Sequence, residues 1–167
     1  MWALRIILAL ALAFGLAACG SRPGKLLTYN GPEVTSIQVH KGARQMYLLH
    51  EGKVLKTYKI ALGFAPEGHK QIEGDGKTPE GTYFIDRRNP NSNFHLSLGV
   101  SYPNEQDIAR ALAAGEDPGG DIFVHGRSHW RDLNKGDWTA GCIAVRDAEM
   151  DEVYAMVKLG TTIHILP

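Results

Sequence analysis

The chain has 167 residues, 44% hydrophobic and 22% charged, a length and balance that suit one folded domain able to bury a core. Lys plus Arg number 18 and Asp plus Glu number 18. With no lysine or arginine run either, the chain lacks the basic field that nucleic-acid binding requires.

The N-terminus reads as an export signal. Residues 1–5 end in Arg5, residues 6–16 are almost wholly apolar, and Leu16-Ala17-Ala18-Cys19 closes the run with small side chains. About 20 apolar residues are needed to span a bilayer, so this stretch is too short for a transmembrane helix. Leu-Ala-Ala-Cys resembles the bacterial lipobox. That implies acylation at Cys19 and a membrane anchor on the periplasmic face of the envelope. Gly20 in place of Asp favours the outer membrane. Losing residues 1–18 would remove only Arg5, leaving 17 basic against 18 acidic residues, a net charge of −1. The expected division is a signal peptide at 1–18, a lipidated N-terminus and tether at 19–33, and one folded domain at 34–167.

Beyond the tether the pattern is of short strands and turns. Residues 34–40 alternate, with Ile37 and Val39 on one face. Segments 44–50 and 53–61 follow, joined at Glu51-Gly52 as a hairpin. Further strands are expected at 82–87, 95–100, 121–125, 142–146 and 161–166. A helix is expected over 105–114, closed by Gly115 as a left-handed cap. A second is expected over 148–159, capped by Asp147, with Met150, Val153, Met156 and Val157 as its buried stripe. Many strands and few helices predict a mostly β sandwich or barrel-like domain.

The chemistry concentrates in Asp121-Ile122-Phe123-Val124-His125-Gly126 and Gly136-Asp137-Trp138-Thr139-Ala140-Gly141-Cys142. One apolar strand delivers His125 at its end, and Cys142 opens the next. A thiol beside an imidazole loses its proton more readily, and the thiolate is the attacking species. Cys142 is therefore the expected nucleophile and His125 its base. Gly141 lets the backbone approach a substrate closely, and amides near Cys142 could hold a tetrahedral oxyanion.

These segments resemble the L,D-transpeptidase catalytic-domain family, bacterial enzymes that cross-link or edit peptidoglycan. His125-Gly126 and Thr139, Gly141 and Cys142 match its signature. Upstream, Gly76-Lys77-Thr78-Pro79-Glu80-Gly81-Thr82-Tyr83 matches its Thr-Pro-x-Gly turn and strand. The segments His95-Leu96-Ser97-Leu98 and Ser101-Tyr102-Pro103-Asn104 match one subgroup, and the likeness spans about residues 34–167. It implies an L,D-transpeptidase-type β-sandwich, a Cys142 thioester, and peptidoglycan stem peptides as substrate. It also implies hydrolysis as an alternative outcome. Thr139, Gly126 and Gly141 are the expected oxyanion and backbone support.

Two positions depart from the family pattern. Ala140 stands where many members have His, leaving base duty to His125. Ala144 stands where many have Arg, which makes Arg146 the next guanidinium on that strand face and a candidate substrate clamp. His95, His129 and Trp138 are further candidates for the cleft. Neither a metal site nor a cofactor is expected, and the protein is expected to be a monomer. Sortase-like transpeptidation and non-catalytic wall binding are the weaker readings.

Overall fold

The computed structural model of the chain describes residues 26–126 and 136–167. Cys19 and His129 lie outside the described residues. In chain order the elements are β1 (Ser36–His40), β2 (Gln45–His50), β3 (Lys53–Lys59), β4 (Gly81–Ser92), β5 (His95–Val100), α1 (Glu105–Ala113), β6 (Phe123–His125), β7 (Ile143–Ala144), α2 (Asp147–Met156) and β8 (Thr162–Leu166). This is the expected mostly β fold with two short helices.

The strands hydrogen-bond in the order β3-β2-β1-β8-β4-β5-β6-β7. Strand β4 belongs to both halves: its first residues pair with β8, from Gly81↔Ile165 to Phe84↔Thr162. Its later residues pair with β5. Alternation decides which side chains turn inward. Ile37 and Val39 of β1 lie beside Ile163 and Ile165 of β8 in a parallel pair, and all four are buried. Met46, Leu48, Tyr83, Ile85, Leu98, Val124 and Ile143 extend the same core.

The two ends of the sheet meet. Ala61, just past β3, exchanges both backbone hydrogen bonds with Ala144 of β7, at 2.9 and 2.8 Å. That contact gives the sandwich a barrel-like closure and leaves β7 with partners on both sides.

Helix α1 starts at Glu105 as expected, and α2 runs Asp147–Met156 against an expected 148–159. Asn104 caps α1: its side chain accepts from the amides of Gln106 and Asp107, and the Asp107 carboxylate accepts from the Asn104 amide. Gly115 follows in the left-handed region, at φ 74°. Helix α2 starts one residue earlier than expected. Arg146, not Asp147, is its cap residue, and the Glu149 carboxylate accepts the Arg146 amide at 2.9 Å. An acidic residue three positions into a helix can serve that amide where the cap residue itself cannot. The expected stripe is buried, with Tyr154 added.

Three strands also differ from expectation. Segment 142–146 keeps only Ile143–Ala144 as strand, because the chain turns at Val145 to enter α2. Strand β6 starts at Phe123, since Asp121 takes a left-handed backbone (φ 53°) that ends pairing. Strand β4 runs on to Ser92 through Pro90, with register shifts that absorb the irregular Asn-Pro-Asn stretch.

Candidate active site

Strands β6 and β7 are parallel neighbours, in register at Val124↔Ile143 and His125↔Ala144. Extending that register places Cys142 beside Phe123, on the face His125 also uses. Strand spacing then sets the two α-carbons about 8 Å apart, close enough for side chains to meet. Both line one cavity of about 300 Å³, walled also by Asn89, Ser92, Phe94, Ser97 and Asp121.

The surroundings of His125 fix its tautomer. The ring packs in a three-ring cluster, 4.7 Å from Phe94 and 5.9 Å from Trp138 between centroids, with those two rings 6.1 Å apart. Its Nδ1 hydrogen-bonds the Gly126 carbonyl. A carbonyl oxygen only accepts, so Nδ1 carries the proton and Nε2 keeps the lone pair a base needs. Burial pushes the imidazole below its ordinary range, and the Gly126 carbonyl offsets this in part. The same burial pushes the Cys142 thiol up, while the Phe123 amide bonding the sulfur opposes it. Both directions favour a neutral resting pair, thiol and imidazole, over a preformed ion pair. The Cys142 Sγ–H donates to the Asp121 carbonyl at 3.5 Å.

The glycines at the site have steric roles. A Cβ on Gly141 would stand 2.7 Å from the Lys77 carbonyl oxygen, and the residue sits at φ 135°. A Cβ on Gly63 would stand 2.0 Å from the Gly76 carbonyl oxygen. Three backbone segments therefore touch directly beside Cys142. At Gly126, a Cβ would crowd Asp147 Oδ1 at 2.7 Å and the Phe94 carbonyl at 2.8 Å.

Thr139 ties the turn. Its Oγ1 donates to the Cys142 carbonyl at 2.7 Å and accepts the Gly141 amide at 3.2 Å. The Gly126 amide donates to the Leu96 carbonyl at 3.2 Å. This corrects the oxyanion expectation for both glycines, because each amide already has a partner inside the fold. Thr139 braces the turn that carries Cys142.

Trp138 packs against His125 and Phe94, and its backbone amide donates to the Leu62 carbonyl. Two other candidates need correction. His95 sits at φ 71°, and its Nε2 meets Asp151 Oδ1 of α2 at 2.7 Å, so its ring is tied to the helix rather than directed into the cavity. Arg146 is exposed and meets Glu149 Oε1 at 3.3 Å. The short β7 ends before it, so the alternation that would align it with Cys142 does not reach it. Exposed ion pairs carry about 0–1 kcal/mol. Arg146→Ala is accordingly expected to leave kcat/KM within about twofold on any peptide substrate, with little change in Tm. A tenfold loss in a stably folded variant would restore it as a clamp.

Sequence reasoning missed Asp137. Its carboxylate takes Arg44 Nε and NH2, the latter at 2.8 Å, and accepts the Leu62 amide at 2.8 Å. It thereby pins the Trp138–Cys142 turn to the opposite end of the sheet. A lone Asp before an aromatic gives no periodic signal, and Arg44 lies 93 positions away. Buried Lys70 was also missed; it meets Asp75 Oδ1 at 3.0 Å. Among the described residues, no group of three His, Cys, Asp or Glu could hold a metal ion. No described helix is long and apolar enough to cross a membrane.

Known proteins with related sequences and structures share this arrangement of elements. The family model of the YkuD L,D-transpeptidase catalytic domain matches residues 35–165. YafK of Escherichia coli (strain K12), provisionally an L,D-transpeptidase, is 28% identical over 127 residues, covering 72% of this chain and 46% of its own length. The helical cell shape determining protein Pgp2 of Campylobacter jejuni, in its K307A form, superposes with a TM-score of 0.58 at 26% identity, covering 83% of this chain and 49% of its own. Bd1075 of Bdellovibrio bacteriovorus gives 0.59 at 25% identity, with 86% and 52% covered. The chain spans about half the length of these relatives.

Proposed function

Since this chain belongs to the YkuD family of L,D-transpeptidase catalytic domains, we propose that it transfers acyl groups between peptidoglycan stem peptides through a Cys142 thioester. The observation that carries this reading is the pair on adjacent strands. Cys142 and His125 line one cavity, and the base nitrogen of His125 is left available by its own hydrogen bond.

The steps follow from the residue types. His125 Nε2 takes the Sγ proton as the sulfur attacks the peptide carbonyl, so thiolate forms only when it is used. Charge then develops on the carbonyl oxygen, and the Cys142 amide is the candidate donor to it. The tetrahedral species collapses to a thioester as the imidazolium returns its proton to the departing amine. An amine acceptor attacking the thioester yields a new cross-link, and water yields trimming. Likeness to a protein named for determining helical cell shape supports a role in wall remodelling. The products decide the outcome: incubation with purified muropeptides, read by mass spectrometry, is expected to give cross-linked dimers. Shortened monomers alone would assign the hydrolytic alternative, and unchanged muropeptides would refute both.

The segment ending at Cys19 supports an envelope location with a lipid anchor. Several acyl chains hold a protein to a bilayer firmly, where one does so marginally. Labelling with a palmitate analogue is expected to mark the wild type and not Cys19→Ala.

A further inference from the structure

Ser97 of β5 lines the cavity of Cys142 and His125 and is only 4% exposed. Among the described residues, its hydroxyl has no hydrogen-bond partner in the protein. Buried hydroxyls are ordinarily bonded, because an unpaired one has given up water for nothing. The buried threonines follow that rule. Thr78 Oγ1 accepts the Gly63 amide, Thr139 Oγ1 the Gly141 amide and Thr161 Oγ1 the Lys158 amide. Ser97 departs from it, and does so inside the cavity.

Strand register fixes its neighbours. Ser97 pairs with His125 of β6. The backbone bonds on this ladder run from the Val100 amide to the Ile122 carbonyl, at 2.9 Å, and from the Gly126 amide to the Leu96 carbonyl, at 3.2 Å. The Ser97–His125 pair therefore falls between hydrogen-bonded pairs, where antiparallel side chains stand closest. On its other side Ser97 pairs with Asn89 of β4. Directly opposed residues share a face of the sheet. Asn89, Ser97 and His125 thus form a row across three strands, from an exposed carboxamide through a buried hydroxyl to the base. All three line the same cavity.

The row selects its ligand by chemistry and reach. Ser92 and Asn93 beside it are also neutral. A charged group brought against Ser97 would lose hydration with no counter-charge on that side. A peptide group is neutral and offers both a donor and an acceptor, as a serine hydroxyl does. Strand β5 lies two strand spacings from β7, about 10 Å. With the reacting carbonyl at Cys142, an extended chain rising about 3.3 Å per residue covers that span in about three residues. A tetrapeptide that gives up only its last residue has that length on its acyl side alone.

We propose that Ser97 is a specificity-determining residue whose hydroxyl hydrogen-bonds a backbone peptide group of the donor, about two to three residues before the bond attacked. This rests on the acyl-transfer reading above and adds the length of the donor to it. The substrate class is a peptide with at least about three residues on the acyl side, laid across β6 toward Asn89. The free protein carries the cost of the unpaired hydroxyl, and the bound donor supplies its partner. Such a site trades stability for binding.

Ser97→Ala removes the hydroxyl and little else, and its effects on stability and on binding should have opposite signs. Its Tm is expected to equal or exceed that of the wild type, since an unpaired buried polar group is lost. The KM for a tetrapeptide donor should rise about threefold to tenfold, with kcat within about twofold. Iodoacetamide, which is too small to reach Ser97 from Cys142, should alkylate Cys142 at the same rate in both proteins. A dipeptide that keeps the scissile bond, used as a competitor of tetrapeptide turnover, should inhibit both proteins equally. A fall in Tm, or slower alkylation, accompanying the kinetic loss would make Ser97 a structural support and overturn the proposal. An unchanged KM for the tetrapeptide, or an equal weakening of the dipeptide, also overturns it. Both of those results leave the acyl-transfer reading intact so long as the tetrapeptide acylates wild-type Cys142. If the tetrapeptide leaves no acyl group on wild-type Cys142, the acyl-transfer reading falls and this inference falls with it.

Discussion

His125→Gln is expected to lower the rate of Cys142 acylation by a peptide donor by about 10²–10⁴-fold, the usual contribution of a positioned acid–base group. Gln keeps a polar side chain beside Phe94 and Trp138 but cannot take the thiol proton. With the thiol held up by burial, little thiolate exists near neutral pH without that base. The pH profile of the wild type carries the same signature. Because burial lowers the His125 pKa, its base form should persist below the ordinary imidazole range of about 6.5. The acid limb of kcat/KM should therefore fall at lower pH than a free histidine would give. The stability effect has the matching sign: a depressed folded-state pKa contributes stability above the unfolded value, lost as pH falls through the folded one. Rapid acylation of His125→Gln at neutral pH would assign the base elsewhere. An acid limb at or above the ordinary imidazole range would contradict the buried neutral ring.

Gly141→Ala is expected to damage both fold and chemistry. The new Cβ would face the Lys77 carbonyl oxygen at 2.7 Å and the Ile122 Cδ1 at 3.1 Å. The first of these is backbone, so it cannot swing aside. The φ of 135° adds strain for any L side chain. Overpacking of this kind costs about 1–3 kcal/mol, with the backbone strain in addition. That corresponds to a fall in Tm of about 10 °C for a domain of this size. Relief by shifting the turn would move Cys142, and misplacement of about 1 Å can cost on the order of 100-fold in rate. Thermal melting and acylation kinetics measure the two losses separately. A variant with wild-type Tm and rate would show that the three-backbone contact of Gly63, Gly76 and Gly141 is dispensable.

The sequence made the repeating parts of this fold readable. Strands β1 and β8 alternate cleanly, and α1 ends where Gly115 follows. The proposed nucleophile and base were legible as candidates because Cys142 and His125 each stand at a terminus of an apolar segment beside glycine. Non-local features were not. The closure of the sheet rests on Ala61 and Ala144, two small residues that carry no pattern of their own. The bond from Asp137 to Arg44 joins positions far apart in the chain. Strand β7 reads as five residues in sequence because Cys142, Ile143, Ala144 and Val145 are apolar, yet its backbone pairs over only two. Arg146 illustrates the consequence. Its expected direction depended on an extended strand, and the start of α2 sends it to Glu149 instead. His95 fails for a similar reason, since a positive φ changes the direction its side chain takes.

The account stands on covalent catalysis at Cys142. The most direct measurement is the intact mass of the protein during incubation with a defined tetrapeptide donor, compared with Cys142→Ser. The account predicts a transient adduct on the wild type, equal in mass to the donor peptide less its released amino acid, mapping to the Cys142 peptide and absent from Cys142→Ser. Turnover of the donor with no adduct at any time, or an adduct of the same mass persisting in Cys142→Ser, would contradict it.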